Sequence, residues 1–231
     1  MLTKENLLNG SVLLVNKPLH WTSFDAVRKI RNTAQIKKVG HAGTLDPLAT
    51  GVLIVCTGKY TKKINEYMGM PKEYTGTITL GATTPTYDLE SEPTHMMPYS
   101  HITKQDVYNA LPQFIGNISQ VPPIYSAIKV KGQTAYNLAR KGQHIVMEPR
   151  QVTIYAFEIT AIEMPILTFN IICSTGTYIR SMAHDLGQAL GCGGYLSSLC
   201  RTRIGEYTVS KCLGVDEIVA QINAAKVPNE L

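Results

Sequence analysis

The run Gly40-His41-Ala42-Gly43-Thr44-Leu45-Asp46-Pro47-Leu48-Ala49-Thr50, closed by Gly51, constrains this chain more than any other stretch. Its glycines permit close backbone approach, and its Asp-Pro pair favours a turn. The run therefore reads as a glycine-framed loop. Before it, Ser23 reads as the N-cap of a helix through about Ala34, with Phe24, Val27 and Ile30 on one face. After it, Val52 to Cys56 reads as a buried strand. The loop holds one carboxylate, Asp46. No other acid lies between Asp25 and Asp46, whereas Arg28, Lys29, Arg31, Lys37 and Lys38 all do. A lone carboxylate behind a basic stretch suits a protein that holds a polyanion.

At 231 residues the chain is long enough to bury a full core without staples. The formal charge of +5 says less about partners than its distribution does. From Val107 to Met147 there is no acid, yet Lys129, Lys131, Arg140 and Lys141 are there. Two acid-free basic segments point to patches that lie along phosphates. The five cysteines include no C-x-x-C pair and read as reduced core thiols of an intracellular protein. Met1 to Gly10 lacks a signal-peptide pattern, and no apolar run reaches membrane length. A cytoplasmic location and no membrane contact are therefore expected.

Further elements follow from periodicity. Ser11 to Val15 reads as a strand running into the turn Asn16-Lys17-Pro18, and Tyr60 to Tyr67 as a short helix. Glu73 to Leu80 alternates and is a strand; Thr83 to Ser100 is a long polar loop. Thr103 caps a helix to Leu111. Arg150 to Ile162 and Ile166 to Cys173 are β-rich runs joined at Glu163-Met164-Pro165, a hairpin signal. Tyr178 to Leu190 is helical, Leu196 to Ser210 contains a strand, and Asp216 to Ala225 is a last helix. Residues 121–142, opening on Pro122-Pro123, stand apart as a basic, tyrosine-bearing excursion that could clamp RNA. Hairpins mixed with helices predict an α+β fold, with a mixed, mainly antiparallel central sheet flanked by helices.

Several chemistries find no support. Gly58-Lys59-Tyr60-Thr61 lacks the upstream glycine of a P-loop. Gly191-Cys192-Gly193-Gly194 is too short for a dinucleotide loop. No G-x-S-x-G elbow and no metal-ligand cluster is present. No metal and no cofactor are expected. Elsewhere, Ser174-Thr175-Gly176-Thr177-Tyr178-Ile179-Arg180-Ser181 places a phenol and a guanidinium close together at a strand-to-helix junction. An arginine beside a carboxylate orients it and keeps it ionised.

These segments resemble the TruB-type tRNA pseudouridine synthases. The resemblance starts with Val15-Asn16-Lys17-Pro18 and Trp21-Thr22-Ser23, then takes in Lys38 to Gly51 and Lys72-Glu73-Tyr74. It continues through Pro122 to Val130 with Gly132, Ala135-Tyr136 and Ala139-Arg140. It ends with Ser174 to Ser181 and Leu199-Cys200-Arg201-Thr202. The resemblance implies a pseudouridine synthase fold with an RNA-binding cleft, and isomerisation of the uridine at position 55 in the tRNA T-loop. The target base must be flipped out of its stack. Asp46 is then the essential carboxylate, acting at the ribose by attack on C1′ or by removal of the 2′ proton. Arg180 holds Asp46 by an ion pair. Tyr74 stacks on the flipped base, Tyr178 hydrogen-bonds near the site, Leu199 walls it, and His41 fills the space the base vacates. Lys17, Lys38, Lys129, Lys131, Arg140 and Lys141 meet phosphates, which position rather than specify.

The chain departs from the family pattern at a few places. Ala42 replaces a hydroxyl residue, and Cys200 stands where an arginine often follows the leucine. Asp88-Leu89-Glu90-Ser91 lacks the glycine often found after that aspartate, so no role is expected of this loop. Bacterial relatives usually continue into a PUA-type RNA-binding domain, whereas only Asp216 to Leu231 follows the last motif here. The expectation is a single catalytic domain over 1–231, with a thumb-like insertion at 121–142 and no PUA-type domain. It should work on the tRNA T-arm as a monomer without an obligatory protein partner. Competing readings are a tRNA-binding folding chaperone and a guide-RNA-dependent synthase.

Overall fold

The structure is a computed structural model and describes residues 2–130, 132–143 and 145–225. In chain order the elements are α1 (Lys4–Asn9), β1 (Val12–Lys17), α2 (Ser23–Ala34), β2 (Val39–Ala42), β3 (Ala49–Thr57), α3 (Ile64–Gly69), β4 (Lys72–Leu80), α4 (Lys104–Ala110) and β5 (Gly116–Gln120). There follow β6 (Lys129–Val130), β7 (Gln133–Thr134), α5 (Ala135–Arg140), β8 (Arg150–Glu163), β9 (Ile166–Cys173), α6 (Ile179–Ala189), β10 (Gly194–Ile204), β11 (Tyr207–Thr208), β12 (Leu213–Gly214) and α7 (Val215–Ala224). The chain packs as two compact units, one of residues up to Tyr74 with those from Leu199 onward, the other Thr75–Ser198. Strands β4 and β10 each run through the boundary.

In the first unit the strand order is β12-β1-β3-β10, with β2 also on β3 and β11 on β10. The β1–β3 and β2–β3 pairs are antiparallel, while β1–β12 and β3–β10 are parallel. Strand β3 explains its own apolar run. Leu53 and Val55 pack on one face against Val27 and Ile30 of α2 and Ile218 and Ile222 of α7. Val52, Ile54 and Cys56 pack on the other face with Ala42, Tyr67 and Ile204. Both faces are covered, so alternation disappears from the sequence. Each such fully buried aliphatic side chain contributes about 1.5–3 kcal/mol.

Helix α2 starts on Thr22 rather than on Ser23. Thr22 and Asp25 form a reciprocal capping box, with Thr22 Oγ1 accepting from the Asp25 N–H and the Asp25 carboxylate accepting from the Thr22 N–H, each at 3.0 Å. This arrangement is worth about 1 kcal/mol. It also releases the Ser23 hydroxyl for another task. Part of the glycine-framed run is a strand: β2 pairs residue by residue with β3, from Val39 opposite Thr57 to Ala42 opposite Ile54. The true loop is therefore only 43–48, the turn of a hairpin.

In the second unit the order is β4-β9-β8-β5, with β8–β9 and β5–β8 antiparallel. Phe157 meets Phe114 and Phe169 edge-on, at centroid distances of 6.2 and 6.3 Å. Helix α6 buries Ile179, Met182, Ala183 and Leu186. The expected excursion carries the β6–β7 hairpin and α5, with a small core of Ala135, Leu138, Ile145 and Met147. The architecture is α+β with a mixed, mainly antiparallel sheet, as the hairpin signals predicted. Helix α1 and strand β5 went unseen in the sequence. Among the described residues no helix is long and apolar enough to cross a membrane.

Candidate active site

The Asp46 loop is held carbonyl by carbonyl. The buried Arg201 guanidinium donates to Gly43 O at 3.0 Å, to Thr44 O at 3.5 Å and to Val52 O at 2.8 Å. The freed Ser23 hydroxyl donates to Leu45 O at 3.2 Å and accepts from the Leu45 N–H at 2.8 Å. The Ala49 N–H closes onto Asp46 O at 3.0 Å, and the His20 N–H donates to Pro47 O at 2.8 Å. Every carbonyl from Gly43 to Pro47 thus has a donor from the frame around it. The half-buried Asp46 sits on a backbone whose carbonyls are already satisfied, which fixes its aim.

Lys17 completes this frame and overturns its expected role. It is 0% exposed, and its Nζ donates to Pro18 O at 2.9 Å, Trp21 O at 2.5 Å and Pro47 O at 3.4 Å. An ammonium with its donors spent on three carbonyls beneath the surface cannot meet a phosphate. Burial lowers its pKa to about 8, against the opposing pull of the Asp46 charge. Lys17 is a brace of the loop, not part of an RNA-binding surface.

The other expected residues of the first unit gather along the same strands. His41 lies on β2, directly opposite Val55. Burial pushes its imidazole pKa down, the nearby Arg201 charge adds to this, and the Gly43 backbone opposes it. Leu199 on β10 is in register with Ala49, next to the end of the loop, and the Thr50 hydroxyl donates to Leu199 O at 3.4 Å. Tyr74 is on β4 and is 8% exposed. Lys38 is exposed between α2 and β2.

In the second unit, Tyr178 caps α6. The Gln120 side chain accepts from the Tyr178 N–H at 2.8 Å and donates to the Tyr178 carbonyl at 3.1 Å. Arg180 follows in the first turn of α6 and is 4% exposed. It donates to Thr86 O at 3.0 Å and to Tyr125 O at 3.1 Å, and its Nε lies 3.6 Å from Asp88 Oδ2. Asp88, itself buried, accepts from the Glu90 N–H at 3.0 Å. The sequence reading set this loop aside. Its signal was an aspartate in a polar, proline-bearing stretch that lacked the glycine often found after it. Arg201 was likewise missed as a functional residue; its signal was an arginine inside a strand, where it proves to be buried.

Lys129 is exposed on β6, and Arg140 is exposed at the end of α5 with its guanidinium 5.1 Å from the Tyr136 ring centroid. Lys141 donates to Gln133 Oε1 at 3.3 Å. Lys131 lies outside the described residues.

Comparison with known proteins identifies the family. Residues 31–179 match the model of the TruB family pseudouridylate synthase N-terminal domain, and residues 180–230 that of the tRNA pseudouridylate synthase B C-terminal domain. A tRNA pseudouridine synthase B from Flavobacterium johnsoniae is 50% identical over 221 residues, covering 93% of this chain and 96% of that protein. One from Parabacteroides distasonis is 46% identical over 233 residues, covering 97% and 99%. Among solved structures, a chain of a Cbf5–Nop10–Gar1 complex superposes with a TM-score of 0.72 at 27% identity over 94% of this chain. This chain spans about half, 55%, of that longer protein. The chain belongs to the TruB family of pseudouridylate synthases.

Proposed function

We propose that this protein isomerises the uridine at position 55 in the T-loop of tRNA to pseudouridine, with no cofactor. The observation that carries the reading is the braced Asp46 loop, in a chain whose full-length relatives are tRNA pseudouridine synthases B. In the reaction the bond from ribose C1′ to N1 of the base breaks, the base turns over, and C1′ bonds to C5. The C5 proton then leaves and N1, now free of the ribose, takes up a proton, so atoms balance without an oxidant or co-substrate. Asp46 acts at the ribose, either on C1′ or on the 2′ proton. Arg180 serves as its cationic partner in the reacting complex, and Tyr74 stacks on the flipped base. Tyr178 hydrogen-bonds near the site, and Leu199 walls it. His41, whose lowered pKa leaves a neutral ring at neutral pH, occupies the gap in the T-loop.

Lys38, Lys129, Lys131, Arg140 and Lys141 carry the phosphates, and residues 121–142 act as a thumb of the catalytic body. Recognition of a folded loop through splayed bases suits RNA. The protein works as a monomer in the cytoplasm and needs no guide RNA.

Release of tritium from C5-tritiated uridine in a tRNA transcript tests this reading. The wild-type chain should release tritium without added protein or guide RNA, and Asp46→Asn should not. Equal release from both proteins would remove Asp46 from the mechanism. Tight tRNA binding by a wild type that releases nothing would leave a chaperone.

A further inference from the structure

Gln120 and Arg150 are directly opposite each other on β5 and β8, so their side chains leave the same face of the sheet. Both reach Tyr178. Gln120, 1% exposed, takes the backbone of Tyr178 with both ends of its amide. Arg150 takes the ring: its Cζ lies 4.5 Å from the ring centroid. Planar stacking of a guanidinium on an aromatic face is a role lysine cannot reproduce.

The remainder of the Arg150 charge is uncommitted. Its Nε is buried without a hydrogen-bond partner, and among the described residues no carboxylate pairs with it. The guanidinium lies beside the exposed turn at Thr175-Gly176, where a Cβ on Gly176 would come within 3.8 Å of both Cζ and Nη1. That turn is rigid. Ser174 exchanges backbone and hydroxyl hydrogen bonds with Thr153, at 2.8 and 2.9 Å, and Thr177 Oγ1 donates back to Ser174 O at 3.0 Å. A cation parked on a tyrosine, at the edge of a fixed turn, with no anion of its own, is prepared for an anion that arrives from outside.

We propose that Arg150 binds a backbone phosphate of the substrate RNA and, through its stack on Tyr178, makes the position of that phenol depend on the RNA being seated. It is a positioning residue that acts through Tyr178. The inference rests on the RNA substrate proposed above. Phosphate engagement withdraws none of the guanidinium's flat face, so both contacts coexist. The Gln120 clamp keeps the Tyr178 backbone still, which leaves the ring as the part that Arg150 sets.

The test compares the wild type with Arg150→Ala and Arg150→Lys, each folded by circular dichroism. Dissociation constants for a tRNA transcript are measured against salt in an Asp46→Asn background, so that turnover does not intrude. Turnover by tritium release is measured with Asp46 intact. Loss of one phosphate contact should reduce the slope of log affinity against log salt by about 0.7–0.9 in Arg150→Ala. The same variant should lose about tenfold in kcat at saturating RNA. Arg150→Lys should restore the slope and leave kcat low, because its ammonium has charge but no planar face. A slope unchanged in Arg150→Ala would overturn the phosphate contact, and an unchanged kcat would overturn the coupling to Tyr178. Salt-independent or absent tRNA binding by the Arg150-intact protein would overturn the RNA reading itself, and this proposal with it.

Discussion

The Arg201 guanidinium donates to the Gly43 carbonyl across 3.0 Å, tying a cation inside strand β10 to the first residue of the Asp46 loop. The strand that carries Arg201 can approach so closely only because Gly51 faces it. A Cβ at Gly51, where φ is 102°, would sit 2.2 Å from the Arg201 carbonyl oxygen. Strand register, loop shape and the aim of Asp46 are therefore one structural unit.

Arg201→Met should expose this dependence. The carbonyls of Gly43, Thr44 and Val52 would lose their donor inside the protein, at about 1–3 kcal/mol for each buried acceptor left unpaired. A loss of about 3 kcal/mol corresponds to a Tm lower by about 6–12 °C in a chain of this size. The folded fraction should also turn over at least tenfold more slowly, since a loosened loop no longer aims Asp46. Calorimetry and tritium release check the two effects. A variant with wild-type Tm and turnover would mean that the loop holds itself.

Much of the fold was legible because its signals were local. Alternation marked β4, the proline-bearing turn marked the β8–β9 hairpin, and Val52 to Cys56 showed as a run buried on both faces. What stayed hidden depended on partners distant in the chain. Ser23 looked like a cap because serine often is one; the capping box of Thr22 and Asp25 freed it for Leu45, a loop residue. Lys17 was expected at a phosphate because the family resemblance implied it. Only the fold shows three carbonyls converging on its Nζ. Asp88 was passed over because its loop lacks the glycine often found after that aspartate; only the fold brings it beside Arg180.

Asp88→Asn should separate catalysis from binding. Asp88 is 3% exposed and lies beside Arg180, so its substitution should act through Arg180 rather than through contact with RNA. Removing its charge leaves the Arg180 contacts to Thr86 O and Tyr125 O in place but takes away the carboxylate charge beside Nε. The expected result is a fall in kcat of roughly tenfold to a hundredfold, with tRNA affinity nearly unchanged. Steady-state turnover beside filter-binding affinity measures both. A parallel fall in affinity would make Asp88 a determinant of RNA binding instead.

Lys17→Met should alter the pH dependence of stability. The folded pKa of Lys17, about 8, lies below its ordinary value of 10.5. Between these values the unfolded chain holds more protons on this group than the folded one. Stability from Lys17 therefore rises as pH rises through that window. The difference in unfolding free energy, wild type minus Lys17→Met, should be flat below about pH 7 and grow towards about pH 10. Urea titrations of both proteins at matched pH test this, and a difference that shrinks with rising pH would contradict it.

Asp185→Asn should act with the opposite sign and in a lower window. Burial raises the Asp185 carboxyl to about 6 from an ordinary 3.8. Here the folded chain holds the extra proton, so the Asp185 contribution to stability falls as pH climbs from about 4 to about 6. At neutral pH the residue is a charge paying for its desolvation, on the helix whose His184 stacks on Tyr87 at 3.9 Å. Asparagine carries no such charge. The variant should match the wild type near pH 3.5 and exceed it in Tm by a few degrees near pH 7.5, roughly the range that brackets the titration. An equal offset at both pH values would show that packing, not charge, separates the two proteins.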